Sequence, residues 1–287
     1  MVSQQKRKEL SKLFKKKRKC MGYISLFLRP RNVFLTVGNI LKDKKLDHYD
    51  DSRMRSIQAN SLIKLAEHIL NPIRVVSFVE FVELSNLSQL VNQSDSMRLG
   101  QFFLENGSDK FSLGYHEVYQ VILASKLKSS STIVEIGIGT NHLDTESNMG
   151  RTGIPGASLR AFRDYDMSAN IVGLDVDSRI FIRETRIWCY FCDQNRPETI
   201  SRVLLNLTDL TLLIDDGLHN LDANLNTFKE FYRFQEIGSW IVIEDIQNLP
   251  EIVASWQLLA DLISRTNDSY LIQCRKSILF CSFKVRE

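Results

Sequence analysis

Six acidic residues carry the first chemical signal in this sequence. Asp175, Asp193, Asp215, Asp216, Glu244 and Asp245 each stand just past an apolar stretch that reads as a β-strand. In an open α/β sheet the carboxyl ends of the strands share one edge, so these acids are expected to meet there. Gathered carboxylates repel one another unless a ligand or a cation neutralises them. Solvated strand ends account for one such acid but not for six in register. His219 stands three residues after Asp216. An unperturbed histidine has a pKa of about 6.5, so it is largely neutral at physiological pH and able to accept a proton. Capping the helix expected from about Asn220 is the other reading of His219.

A second signal precedes the acids. Residues 132–140 read Thr-Ile-Val-Glu-Ile-Gly-Ile-Gly-Thr. Ile133, Val134 and Ile136 are apolar and β-branched, as a buried strand requires. Gly137 and Gly139 then allow a sharp turn and the approach of a ligand to bare backbone. A dinucleotide fingerprint needs G-x-G-x-x-G, and His142 stands where the third glycine would be. Glu135, ahead of the first glycine, suits a cationic ligand group better than a pyrophosphate. Asp175, at the next strand end, is placed to accept hydrogen bonds from ribose hydroxyls.

The elements that must position these residues follow from hydrophobic periodicity. Strands are expected near 132–136, 171–177, 187–191, 210–214, 240–243, 269–274 and 278–284. Helices are expected at 115–127, 157–165, 197–205, 221–234 and 251–263. The last two strands flank the tight Arg275-Lys276-Ser277 turn and read as an antiparallel pair. The fold class is α/β, a doubly wound Rossmann-like sheet with an antiparallel last strand, preceded by a mostly helical N-terminal accessory region. The polar run Asn106-Gly107-Ser108-Asp109-Lys110 sets the boundary. It divides the chain into a basic tail (1–20), a helical accessory region (21–107) and the sheet domain (108–287). Within the accessory region a helix is expected from Met54 to Leu70. A helix, or a short strand plus helix, is expected over 73–90, and a short amphipathic turn over 97–104.

Glu-x-Gly-x-Gly-Thr with an acid on the second strand resembles the class I S-adenosylmethionine-dependent methyltransferases. Over about residues 106–250 the resemblance narrows. Gly107-Ser-Asp-Lys110 with Tyr115, His116 and Tyr119, then Pro155-Gly-Ala-Ser-Leu-Arg160, Cys192-Asp-Gln194, Ile214-Asp-Asp-Gly-Leu-His219 and Val242-Ile-Glu-Asp245 look like one bacterial subgroup. That subgroup holds the metal-dependent O-methyltransferases of macrolide sugars and related glycans, and some members carry the name cephalosporin hydroxylase. The resemblance implies S-adenosyl-L-methionine and Mg²⁺ (or Mn²⁺) as cofactors and makes 108–287 the methyltransferase domain. It places Glu135, Gly137, Gly139 and Thr140 at the methionine and ribose end of the cofactor and Asp175 on the ribose. Asp193 and Gln194 fall near the adenine, and Asp215 joins the cofactor side. Asp216, Glu244 and Asp245 match the metal ligands, and His219, beside Asp216, matches the general base. Leu218 replaces a serine common in the family. The donor types agree, because carboxylates are hard ligands suited to Mg²⁺ or Mn²⁺.

The function implied is methylation of a sugar hydroxyl on a glycan or glycosylated metabolite. The acceptor pocket is expected to draw on the accessory region and on the loop from Asn141 to Pro155. An RNA methyltransferase is the nearest alternative, but acids at the site would repel phosphates and no basic-aromatic module is visible. An oxygenase is disfavoured because a non-heme iron site wants two histidines and a carboxylate. A catalytically silent binding domain is a further alternative.

Charge is unevenly spread. Residues 1–20 hold nine Lys/Arg and one Glu, whereas the remainder holds 28 basic and 33 acidic residues. The tail reads as solvated, or as attracted to an anionic membrane surface. The apolar run Ile24–Leu28 is cut by Arg29-Pro30-Arg31, so neither a secretory signal nor a membrane span is expected. The expected location is cytoplasmic, at most peripheral to the inner face of the membrane. A homo-oligomer is compatible with the sequence. Cys189 and Cys192 form a C-x-x-C without a second ligand pair, which favours two buried thiols over zinc. Trp188, Tyr190 and Trp240 read as strand packing.

Overall fold

The structure, a computed structural model, describes residues 74–127 and 130–287. The basic tail and the helix expected from Met54 to Leu70 lie outside the described residues.

Apolar strands dominate the molecule. They are β1 (Val75–Val76), β2 (Ser131–Ile136), β3 (Ala169–Asp175), β4 (Ile187–Phe191), β5 (Leu210–Asp215), β6 (Trp240–Ile246), β7 (Asn267–Gln273) and β8 (Ile278–Lys284). They form one sheet in the order β1-β7-β8-β6-β5-β2-β3-β4. Strands β2 to β6 pair in parallel, and β8 runs antiparallel to both β6 and β7. The expected antiparallel last strand is therefore present.

Successive side chains of a strand point to opposite faces, so each central strand feeds two cores. Ile133, Ile171, Leu212 and Val242 enter one core. There they meet α1 (Phe78–Leu84), α2 (Gln93–Asn106), α4 (Tyr115–Ala124) and α5 (Ala157–Tyr165). Val134, Val172, Leu213 and Ile243 enter the other. Its helices are α6 (Pro197–Leu204), α7 (Leu221–Phe234) and α8 (Pro250–Ile263). The four-residue helix α3 (Lys110–Leu113) leads into α4. Cys189 packs on the first core and Cys192 lies in the second, so the sheet separates the two thiols.

The structure differs from the sequence reading in two places that bear on the site. First, the described part of the accessory region shares the core of the sheet domain. β1 adds to β7 through Val75 and Val76, and Phe103 of α2 packs between Tyr119 and Phe162, with ring centroids at 6.4 and 5.2 Å. The run read as a boundary at 106–110 is the turn between α2 and α3. Second, β6 continues to Ile246, and its pairing with β8 shifts between Ile243 and Ile246. Glu244 and Asp245 thus sit within an irregular strand end rather than beyond it, the kind of position that re-aims side chains beside a site. No helix among the described residues is long and apolar enough to cross a membrane.

Phe103 is fully buried, which makes α2 a structural part of the fold. Phe103→Ala is expected to cost about 3–5 kcal/mol in urea unfolding. A loss under about 1 kcal/mol would show that α2 is not integral to the core.

Candidate active site

The sheet order places the site. The chain passes from β2 to β3 on one side, and β5 pairs with the other side of β2, so β2 and β5 flank the topological switch point. Open α/β sheets bind ligands there, at the carboxyl ends of the strands. The turns after these two strands touch. Asp216 N donates to Ile136 O at 2.9 Å. Gly137 has φ +82°, and a Cβ built on it would collide with the carbonyl oxygen of Asp216. Glycine at 137 is thus required both by its left-handed backbone and by this contact.

A cleft of about 970 Å³ opens above this junction. Gly137, Gly139, Thr140, Asp175 and Asp193 line one part of it, and Lys110, Asp216, His219 and Asp245 line another. Met149, Gly153 and Ile154 of the loop after the glycine turn also border it.

On the glycine side the expected residues divide. The Asp175 carboxylate accepts from Ile138 N at 3.0 Å and Asp177 N at 2.9 Å. Burial raises its pKa against these backbone donors. Each oxygen accepts one bond and keeps a lone pair for a hydroxyl in the cleft. Thr140 donates to Asp177 Oδ2 at 2.7 Å and so ties the glycine turn to the end of β3. Asp193 borders the cleft.

Gln194 borders the cleft, whereas Asp215 does not, and both are tied into the protein interior. The Gln194 side chain donates to Asp215 Oδ1 and Thr227 Oγ1, both at 2.7 Å, and accepts from Leu218 N at 2.8 Å. Asp215 is fully buried and also accepts from Asn224 Nδ2 at 3.0 Å. The two residues brace the turn that carries Asp216 and His219 against α7. Adjacent residues at a strand end point to opposite sides, so Asp216 faces the cleft when Asp215 faces α7.

Glu135 lies beneath the cleft and is fully buried. Its Oε2 accepts from Ser158 at 2.7 Å. Its Oε1 is 3.3 Å from Lys110 Nζ, an ion-pair distance without hydrogen-bond alignment. Burial first, then the neighbouring Asp216, raises its pKa against the pull of Lys110.

Lys110 is what the sequence reading missed. It is 1% exposed, and its Nζ lies 2.7 Å from Asp216 Oδ2 and 2.5 Å from Glu244 Oε2. Burial disfavours its charge, but Asp216, Glu244 and Glu135 outweigh that and hold the ammonium protonated well above the usual lysine range. Tyr119 donates to the other oxygen of Glu244, and Tyr115 donates to Asp245. Glu244 is pushed well above the usual carboxylate range by burial and then by Asp216, with Lys110 opposing. The residues expected as metal ligands are therefore divided: Glu244 turns both oxygens to Lys110 and Tyr119. Asp216, His219 and Asp245 instead bring one ligand atom each within 4.8 Å of one another.

Two backbone features mark this group. His219 has φ +51° and Asp245 has φ +54°, a region uncommon for residues other than glycine. Such strain persists where surrounding structure enforces it and clusters at functional sites. Asn220 caps α7 by accepting from Ala223 N at 2.9 Å, so His219 is not the helix cap. His219 Nε2 is 3.8 Å from Asp216 Oδ1, and Nδ1 is buried without a hydrogen bond. The two carboxylates fit a hard divalent cation, and with a single imidazole beside them the group differs from the two-histidine iron triad.

The sheet has the fold of the class I S-adenosylmethionine-dependent methyltransferases, and a candidate metal cluster lies beside its glycine turn. No family model matches the chain. In sequence it is similar to sugar O-methyltransferases. Over 168 residues it is 26% identical to 8-demethyl-8-alpha-L-rhamnosyl tetracenomycin-C 2'-O-methyltransferase of Streptomyces olivaceus, a match covering 58% of this chain and 42% of that one. Over 92 residues it is 32% identical to mycinamicin VI 2''-O-methyltransferase of Micromonospora griseorubida, covering 32% and 23%. The MycE methyltransferase of the mycinamycin pathway, solved with Mg and SAH, has a similar fold. Its TM-score is 0.53 at 23% identity, over 66% of this chain and 55% of that one. The resemblance read from the motifs holds, although the chain spans less than half the length of the curated relatives it matches.

The Gly137 contact generates a paired prediction. Gly137→Ala should lower stability by more than about 2 kcal/mol, from left-handed strain plus the collision with Asp216. Gly150→Ala, at φ +71° with open space around it, should cost only about 1–2 kcal/mol. Equal losses in parallel urea titrations would show that the contact between the two turns contributes nothing.

Proposed function

We propose that this chain is an S-adenosylmethionine-dependent, divalent-metal-dependent O-methyltransferase that methylates a sugar hydroxyl of a glycan or glycosylated metabolite. The observation that carries this reading is the shared cleft, which joins the glycine turn and Asp175 to the group Asp216, His219 and Asp245. Two relatives whose names specify 2'- and 2''-O-methylation support the choice of a sugar hydroxyl.

The residues present fit both cofactors. For the methyl donor, the glycine turn offers bare backbone, Asp175 keeps lone pairs for ribose hydroxyls, and Asp193 lies at the cleft for the adenine end. For a metal, Glu135, Asp216 and Glu244 share a single ammonium and Asp245 adjoins Asp216 with only a tyrosine hydroxyl as donor, so the cluster lacks positive charge. Asp216 and Asp245 would hold the ion, and Glu244 could join them only by yielding Lys110. A bound divalent ion supplies Lewis acidity that lowers the pKa of a coordinated hydroxyl.

This chain's own residues supply the rest. His219, at the mouth of the cleft, takes the proton from the acceptor hydroxyl. Asp216 lies beside it, with Oδ1 at 3.8 Å from Nε2. Tyr115 and Tyr119 keep Asp245 and Glu244 fixed while the hydroxyl is aligned with the methyl group, so the acceptor meets a prearranged site. Met149 and Ile154 offer apolar surface to the body of the acceptor. We assign the methyltransferase domain to residues 108–287 together with the packed segment from β1. The basic tail is read, on its charge alone, as attracted to an anionic membrane surface.

Calorimetric titration with S-adenosylmethionine and S-adenosylhomocysteine, with and without Mg²⁺, should show binding of both. Failure to bind either would remove the reading. With a glycosylated acceptor, His219→Ala should lower kcat by about 10²–10⁴-fold while leaving the cofactor Kd within about threefold. Full turnover in excess chelator would overturn the metal requirement.

A further inference from the structure

Lys110 has no part in the steps above, yet it lies at the centre of the charged cluster. Its place is fixed from both sides. The short helix α3 is anchored where Arg275 N donates to Leu113 O at 3.2 Å, and the ammonium end lies among Asp216, Glu244 and Glu135. An ammonium is a compact charge with three donors and no acceptor capacity, so it binds carboxylates as a small cation does. It takes Asp216 by Oδ2, and Asp216 Oδ1 lies on the His219 side. Glu244, held also by Tyr119, has neither oxygen committed to the group Asp216, His219 and Asp245.

We infer that Lys110 is a positioning residue and resident counter-ion for the candidate metal site. It keeps Asp216 and Glu244 paired and in place when no divalent ion is bound. An arriving ion must compete with it for Asp216 and for Glu244. This inference rests on the metal-dependent reading of the cleft. Its consequence is a metal affinity below what the acids alone would give, because a fixed positive charge adjoins the site and repels the ion.

The test uses Mn²⁺ alone as probe, with the full chain, counting free ion by electron paramagnetic resonance and following thermal melting. Lys110→Met should bind Mn²⁺ at least about tenfold more tightly than wild type, and Mn²⁺ should raise its melting temperature by more. A residue with a merely structural role would give the opposite, a weaker site. A folded Lys110→Met protein with unchanged or weaker Mn²⁺ affinity overturns the proposal. Should that variant fail to fold, the double variant Lys110→Met/Glu244→Gln removes charge from both partners. It should fold and bind Mn²⁺ within about threefold of wild type. Failure of the double variant to fold, or loss of its Mn²⁺ binding, also overturns the proposal. Wild-type protein that binds no Mn²⁺ brings down the metal reading itself, an outcome distinct from failure of the Lys110 inference alone.

Discussion

Burying carboxylates is the constraint on which the rest of this structure depends. Removing an unpaired ion from water costs several kcal/mol even after relaxation, and like charges compound it. Glu135 and Glu244 are almost wholly inaccessible, and Asp216 and Asp245 lie beside them. Lys110, Tyr115, Tyr119 and Ser158 make that arrangement tenable by supplying one positive charge and three hydroxyl donors. All four come from helices on one face of the sheet: α3, α4 and α5. The site is therefore a meeting of two layers. The strand ends bring the acids, and the helices bring the groups that allow the acids to stay there.

This explains why the fold was more legible than the site. The strand Ile187–Phe191 and the helices Ala157–Tyr165 and Leu221–Phe234 appear at the limits their periodicity predicts, because each carries an apolar pattern bounded by polar residues or proline. β1 and α1 match the short strand plus helix that was one of two readings of 73–90; two residues have too little period to decide between them, and the place of β1 depends on β7, almost two hundred residues later. The first turn of α2 was missed for a different reason. Its residues Gln93-Ser-Asp-Ser are polar, and only the Asn92 side chain accepting from Asp95 N marks the start.

The position of the acids along the chain was likewise readable, but their direction was not. A strand end places a carboxylate at the edge. Whether it faces the cleft or a helix depends on alternation, and the shift in pairing at Glu244–Asp245 breaks that regularity. Asp215 and Gln194 were grouped with the ligand-facing residues, and the structure ties both into internal hydrogen bonds, with Gln194 also at the edge of the cleft. Lys110 sits in a stretch, Asp-Lys-Phe-Ser-Leu, with no local hint of partners more than a hundred residues away. Only its place in the run resembling the methyltransferase subgroup set it apart.

The contact between Gly137 and the Asp216 carbonyl gives the two halves of the cleft a common joint. The glycine turn cannot move toward β5 without carrying the turn that presents Asp216 and His219. The two turns meet across a seam with no room for an intervening side chain. Linkage makes any coupling across it reciprocal: whatever a ligand at the glycine turn does for an ion at Asp216, the ion does equally for that ligand. The order in which the two arrive can therefore change without changing the final balance between them.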